Sequence, residues 1–152
     1  MDHSSAIAEL LSRHGFRRFA MSRTQVGHLK LVGCFDERPV DIVLDTGASK
    51  TFVELNYCRS NGIAVSDTGQ PGHGGNVHTL GDARLTLEAL PLRSDGVLAL
   101  DMSDTNQRLA KRGVDPICAV IGQDVLRYHQ AVIDYATLVL FLKEDLPGVE
   151  SM

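Results

Sequence analysis

The residues best equipped for chemistry are Asp45, Thr46 and Gly47, which follow the apolar run Ile42-Val43-Leu44. A carboxylate at the end of a buried strand is costly to ionise and needs hydrogen bonds to orient it. Gly47 permits a close backbone approach that a side chain would block, and the Thr46 hydroxyl is placed to fix the loop. This equipment suits hydrolysis by two carboxylates about 3 Å apart that share one proton. The chemistry therefore requires a second acid.

Other candidates for that acid read as structural. A second Asp-Thr-Gly, Asp67-Thr68-Gly69, lies too close behind the first for a duplicated lobe. It follows no long apolar strand and reads as turn chemistry. Asp124 is expected to cap the helix that starts at Val125, and Asp134 falls within a hairpin. His73 and His78, with Asp82 nearby, match no zinc spacing and sit in a glycine-rich stretch that would hold ligands loosely, so no metal is expected. Gly47-Ala48-Ser49-Lys50-Thr51 has Ser49 where a phosphate loop needs glycine. No Gly-x-Ser-x-Gly elbow is present, which removes the usual serine hydrolase signal.

The elements that must position Asp45 are mostly strands. Residues 28–35 partly alternate, Asp36-Glu37-Arg38-Pro39 supplies a turn, and Val40–Leu44 returns as a hairpin. The consecutive Ile42, Val43 and Leu44 predict burial on both faces of that strand. Ser5–His14 has helical spacing ended by Gly15 and reads as a peripheral helix; β pattern begins at Phe19. Short helices are expected over Glu54–Asn61, Ser103–Arg112 and Val125–His129. Further strands are expected at Ala83–Leu90, Val97–Leu100 and Ile117–Ile121, with a last hairpin from Ala131–Asp134 to Leu138–Leu142. Many short strands with small helices predict a mainly β barrel or sandwich.

Taken together, these segments resemble the retropepsin-like aspartic proteases. Asp45-Thr46-Gly47-Ala48 after an aliphatic strand resembles that family's active-site loop. Ala119-Val120-Ile121-Gly122-Gln123-Asp124-Val125-Leu126 resembles its second signature, an aliphatic strand, a glycine and a helix. Between them, Gly69–Asn76 falls where the family has a substrate-covering flap, and the last hairpin resembles that of cellular and bacterial members. The resemblance implies a mainly β, single-lobe, closed-barrel acid-protease fold over 19–143, with an N-terminal helical extension (1–18) and a tail (144–152).

The same resemblance implies an aspartic endopeptidase that acts on peptides or proteins without a cofactor. With room for one lobe, the chain would form a C2 homodimer, each copy supplying Asp45, with Thr46 bonding across the interface. Asp45, Thr46 and Gly47 would be catalytic. Ala48, the flap residues Gly72, His73, Gly74, Gly75, Asn76 and Val77, and the second-signature pair Ile121 and Gly122 would bind substrate. A peptide-binding or dimerising module without efficient catalysis is the alternative, since a fold does not establish activity. A long segment ahead of the first strand, a hairpin after the last helix and the Ser103–Gly113 insertion depart from the minimal viral pattern.

Composition narrows the partners. Fifteen Lys and Arg against nineteen Asp and Glu give a net charge of −4, which argues against a nucleic-acid partner. No apolar run is long enough to span a bilayer. The acidic, polar start predicts no signal peptide. Three cysteines without a Cys-x-x-Cys pair predict reduced thiols and a cytoplasmic setting.

Overall fold

The computed structural model describes residues 2–144, so the expected tail lies outside the described residues from position 145 onward. Helix α1 (His3–Arg13) is capped by Asp2, whose carboxylate accepts the Ser5 N–H at 2.8 Å. No residue of α1 is fully buried. The helix is peripheral, as its narrow apolar stripe implies.

Strands β1 (Phe16–Ala20), β2 (Ser22–Arg23), β3 (Leu29–Phe35) and β4 (Arg38–Leu44) follow. The β3–β4 turn places Asp36 and Glu37 at φ 49° and 68°, a left-handed pair that matches strand twist in a two-residue hairpin. Next come β5 (Phe52–Glu54), α2 (Leu55–Ser60), and the hairpin β6 (Val65–Gly72) and β7 (Gly75–Leu80). The strand expected over Ala83–Leu90 is instead two, β8 (Leu85–Leu87) and β9 (Leu90–Pro91). Glu88 and Ala89, at φ 45° and 68°, turn the chain between them. The chain continues through β10 (Leu98–Leu100), α3 (Ser103–Lys111), β11 (Ala119–Ile121), α4 (Gln123–Tyr128), β12 (Val132–Asp134) and β13 (Val139–Lys143).

Ten strands form one sheet in the order β6-β7-β10-β5-β11-β4-β3-β8-β9, with β2 added to β3. Among the described residues its end strands β6 and β9 do not pair with each other. A separate sheet, β1-β13-β12, joins the first strand to the last two. Strand β1 thus pairs with the final hairpin and begins three residues ahead of the β pattern expected at Phe19.

The pairing that matters most is parallel: Ala119, Val120 and Ile121 of β11 lie beside Ile42, Val43 and Leu44 of β4. Ile42, Leu44, Ala119 and Ile121 point into the main core, while Val43 and Val120 join a second cluster with Met102, Leu109 and Ile117. The consecutive apolar residues are therefore buried on both faces, as expected. Each large aliphatic side chain so buried contributes about 1.5–3 kcal/mol. That anchoring delivers the C-terminal ends of β4 and β11 side by side.

Candidate active site

Asp45 begins where β4 ends. Its backbone N–H donates to the Ile121 carbonyl at 3.0 Å, extending the β4–β11 pairing by one bond. Its Oδ1 accepts the Gly47 N–H at 2.9 Å, and its carbonyl accepts the Ala48 N–H at 3.1 Å. A Cβ on Gly47 would sit 3.2 Å from that same Oδ1, so glycine here gives the carboxylate room. The loop is then tied to α4: the Gln123 N–H donates to the Ala48 carbonyl at 2.7 Å, and Gln123 Nε2 donates to the Thr46 carbonyl at 2.8 Å.

Behind the loop lies a buried polar pair. The Thr51 hydroxyl donates to Asp124 Oδ1 at 2.6 Å and accepts the Gly122 N–H at 3.0 Å. Both side chains are completely buried. Asp124 Oδ1 also accepts the Val125 N–H at 2.9 Å, and Oδ2 has no partner. The expectation that Asp124 caps α4 is thus corrected. Gly122 occupies the cap position, α4 starts at Gln123, and Asp124 ties the helix to the active-site loop through Thr51.

Asp45, Thr46 and Gly47 are exposed in the single chain. The buried strand in front of it predicts a buried Asp45; within one chain, the strand is buried and the carboxylate is not. Ala48 is half-buried against the second cluster. Ile121 is 0% exposed on the core side of β11, so the side chain that β11 turns toward Asp45's face is Val120. Gly122 is equally enclosed: a Cβ there would lie 2.5 Å from the Lys50 carbonyl and 2.7 Å from that of Ala48.

A cavity of about 370 Å³ opens beside Asp45 and Thr46. Val43, Phe52, Met102, Ile117 and Val120 give it apolar walls; Asp45, Thr46, His28, Thr105 and Tyr135 make the rest of the lining almost as extensive and polar. Through His28, Val43 and Ile117 it adjoins a groove of about 220 Å³ that carries Arg23, Lys30, Asp41 and Asp115. None of the glycine-rich residues lines this cavity. Gly72, His73, Gly74, Gly75, Asn76 and Val77 form the tip of the β6–β7 hairpin, all exposed except half-buried Val77. Gly74, at φ 78°, rests on the Asp101 backbone so closely that a Cβ would run into its carbonyl.

The rejected candidates have local roles. Asp67 Oδ1 accepts the Gly69 N–H at 2.7 Å, the same turn that Asp45 makes with Gly47, but within an exposed β-bulge of β6. That hydrogen bond lowers the Asp67 pKa. Asp134 holds the β12–β13 turn through Ala136 and Thr137, and hydrogen bonding, led by the Ser4 hydroxyl, lowers its pKa. His78 is buried, with Nε2 3.4 Å from Arg59 Nη2. No cluster of three potential metal ligands occurs among the described residues. Lys50 pairs with Asp95 at 2.6 Å.

Sequence reasoning missed Glu54, which carries no motif. It is 8% exposed; Oε1 accepts the Tyr57 N–H at 3.0 Å and Oε2 the Met102 N–H at 2.8 Å. One carboxylate thereby caps α2 and fixes the segment entering α3. Its position at the start of the helix expected over Glu54–Asn61 was the available signal. Asn106 was missed as well: Nδ2 donates to the Ile117 carbonyl at 3.1 Å and Oδ1 accepts the Ile117 N–H at 2.8 Å.

No family model and no curated protein matches the chain. Solved structures do. A retropepsin-like aspartic protease from Rickettsia conorii aligns at 15% identity and TM-score 0.51, covering 84% of this chain and 91% of that one. The retroviral protease-like domain of Ddi1 from Leishmania major aligns at 15% identity and TM-score 0.50, covering 80% and 90%. At such identity the likeness is one of fold. With β4 and β11 paired in parallel behind the Asp45 loop, this chain has the mainly β, retropepsin-like fold.

Proposed function

We propose that the chain is one half of an aspartic endopeptidase, completed by a second copy about a two-fold axis. The observation that carries this reading is Asp45 itself: a carboxylate oriented by the Gly47 N–H on a backbone tied to β11, exposed, and with no other Asp or Glu among the described residues that line its cavity. A symmetric partner would supply that acid from the same position. The exposed Thr46 is then available for contact across the axis.

In the assembled site one Asp45 carboxylate is ionised and the other protonated, because two adjacent negative charges repel. The ionised Asp45 takes a proton from water as its oxygen attacks the scissile carbonyl carbon. The protonated Asp45 hydrogen-bonds the carbonyl oxygen. A proton then passes to the amide nitrogen, the C–N bond breaks, and the products are a carboxylic acid and an amine. Ala48 and the hairpin tip from Gly72 to Val77 are assigned to the substrate backbone. Ile121 and Gly122, being buried, support the loop instead. The mixed apolar and polar lining of the cavity beside Asp45 fits a segment of peptide.

The −4 charge supports a peptide over a polyanion. Three free cysteines support a reducing, cytoplasmic setting, and no helix among the described residues is long and apolar enough to cross a membrane. The core, expected over 19–143, is assigned from Phe16 to Lys143, because Phe16–Arg18 belong to β1 and pair with β13; the helical segment ahead of it is α1. Cleavage of a broad peptide library by the wild type and loss of that cleavage in Asp45→Asn tests the reading. A dimer that cleaves nothing from about pH 3 to about pH 7 would leave a peptide-binding module.

A further inference from the structure

The β6–β7 hairpin is held to the body of the fold at few points. His78 is the one buried residue of its two strands; the others are exposed or half-buried. Strand β7 pairs with β10 only where Thr79 meets Leu98 and His78 meets Ala99. From Val77 to the tip, β6 is the sole strand partner of β7 among the described residues, until Gly74 meets the Asp101 backbone. An apolar side chain would anchor such an arm at any pH. A histidine does so only in one charge state.

Both ring nitrogens of His78 are committed. Nδ1 lies 3.1 Å from the Asn76 carbonyl, which can only accept, so Nδ1 carries the proton. Nε2 lies 3.4 Å from Arg59 Nη2, which can only donate, so Nε2 offers its lone pair. The contact therefore belongs to the neutral ring. Two carboxylates stand near it. Asp67 lies directly across from His78 on β6. Hydrogen bonds from Gly69 and Asn76, and after them the charges of His78 and Arg59, lower its pKa. Asp101, just past β10, is lowered by hydrogen bonds from Ser103 and Asn56 and then by the Arg59 charge. On α2, burial raises the pKa of Tyr57 and Cys58, which keeps both neutral.

Resting on the reading of this hairpin as the substrate cover, we infer that His78 and Arg59 are the residues that position it, and that a proton on His78 Nε2 breaks their contact and frees the arm. That proton sets one N–H against another and one positive charge against another. Arg59 then turns toward Asp67 or Asp101, the ring loses its buried partner, and Gly74 leaves its seat. Because the docked state excludes the proton, falling pH favours the free state. The hairpin is docked near neutral pH and loosened where histidine titrates.

The test follows hydrogen-exchange protection over 66–77 in the full-length protein, relative to β4 and β11, from about pH 7.5 down to about pH 5. Wild type is expected to lose at least about tenfold in protection across that window. His78→Gln, whose amide accepts from Arg59 at every pH, is expected to stay within about threefold. Arg59→Met keeps an unbranched stem without the opposing charge and is expected to flatten the profile likewise. With a cleaved peptide, KM is expected to rise more steeply in acid in wild type than in His78→Gln. If His78→Gln does not fold, Arg59→Met, at an exposed position, decides alone. A flat wild-type profile, or an equal loss in wild type and the folded variants, overturns the inference and leaves the catalytic reading standing. The expected profiles in a dimer that cleaves no peptide uphold the contact and overturn the catalytic reading instead.

Discussion

The backbone N–H of Asp45 donates to the carbonyl of Ile121 at 3.0 Å, so the active-site loop hangs from the end of β11 as much as from its own strand. The two residues are distant in sequence. Parallel registry of β4 and β11 makes them neighbours, and their buried faces hold that registry. Every property assigned to Asp45 depends on this junction staying closed.

Gly122 is the closest approach within it. A methyl group there would press on the carbonyls of Lys50 and Ala48, which are backbone and cannot swing aside. Gly122→Ala is expected to destabilise the fold by about 3 kcal/mol, read as a lowered urea midpoint with an unchanged slope. A midpoint equal to wild type would show that the loop relaxes freely.

Thr51 joins Gly122 to Asp124 without solvent. Replacing its hydroxyl with a methyl in Thr51→Val keeps the shape but leaves a buried N–H and a buried carboxylate without their partner. The expected cost is about 2–4 kcal/mol, seen as a lower melting temperature. Thr51→Ser, which restores the hydroxyl, is expected to recover most of it.

His129 makes folding sensitive to acid. It is 0% exposed; the Arg93 N–H donates to Nε2 at 2.9 Å, and Nδ1 donates to the Lys143 carbonyl at 2.9 Å, which defines a neutral ring. Burial lowers its pKa below the ordinary 6.5. The unfolded chain therefore takes up a proton before the folded one does. The stability His129 contributes is complete above about pH 6.5 and falls as pH drops from there toward the folded value. Urea midpoints taken across that window are expected to decline in the wild type. They are expected to decline less in His129→Gln.

Cys58 and Cys118 are expected to be slow to alkylate. Burial pushes their thiols up to about 11 and about 12 respectively, so little thiolate is present at pH near 8. Mass spectrometry after brief iodoacetamide treatment is expected to find both unmodified in native protein and modified in urea. Rapid native labelling would mean that the β5–α2 region opens readily.

How much of this was legible follows from locality. Ile42-Val43-Leu44 announced a strand buried on both faces, Asp36-Glu37 a turn, and Gly15 a helix end, because each signal lies within a few residues. The left-handed turn at Glu88-Ala89 was not legible, since neither residue favours that conformation and tertiary packing selects it. The partners of Asp124, Glu54 and Asn106 were hidden for another reason. Thr51, Met102 and Ile117 reach them through folding of the whole chain, and carboxylates or amides carry no mark of their distant partner. The two Asp-Thr-Gly segments make the same point. Both form the same local turn, and only the strand in front distinguishes Asp45 from Asp67.

The central claim, that each chain supplies one of two essential carboxylates, is most directly tested by mixing subunits. Wild type and Asp45→Asn are unfolded together at varied ratios, refolded, and assayed for peptide cleavage at fixed total protein. If both carboxylates of a dimer are needed, activity follows the square of the wild-type fraction, and an equal mixture keeps roughly a quarter of full activity. Activity that falls in direct proportion, with roughly half remaining in the equal mixture, would mean that one chain suffices and would contradict the account.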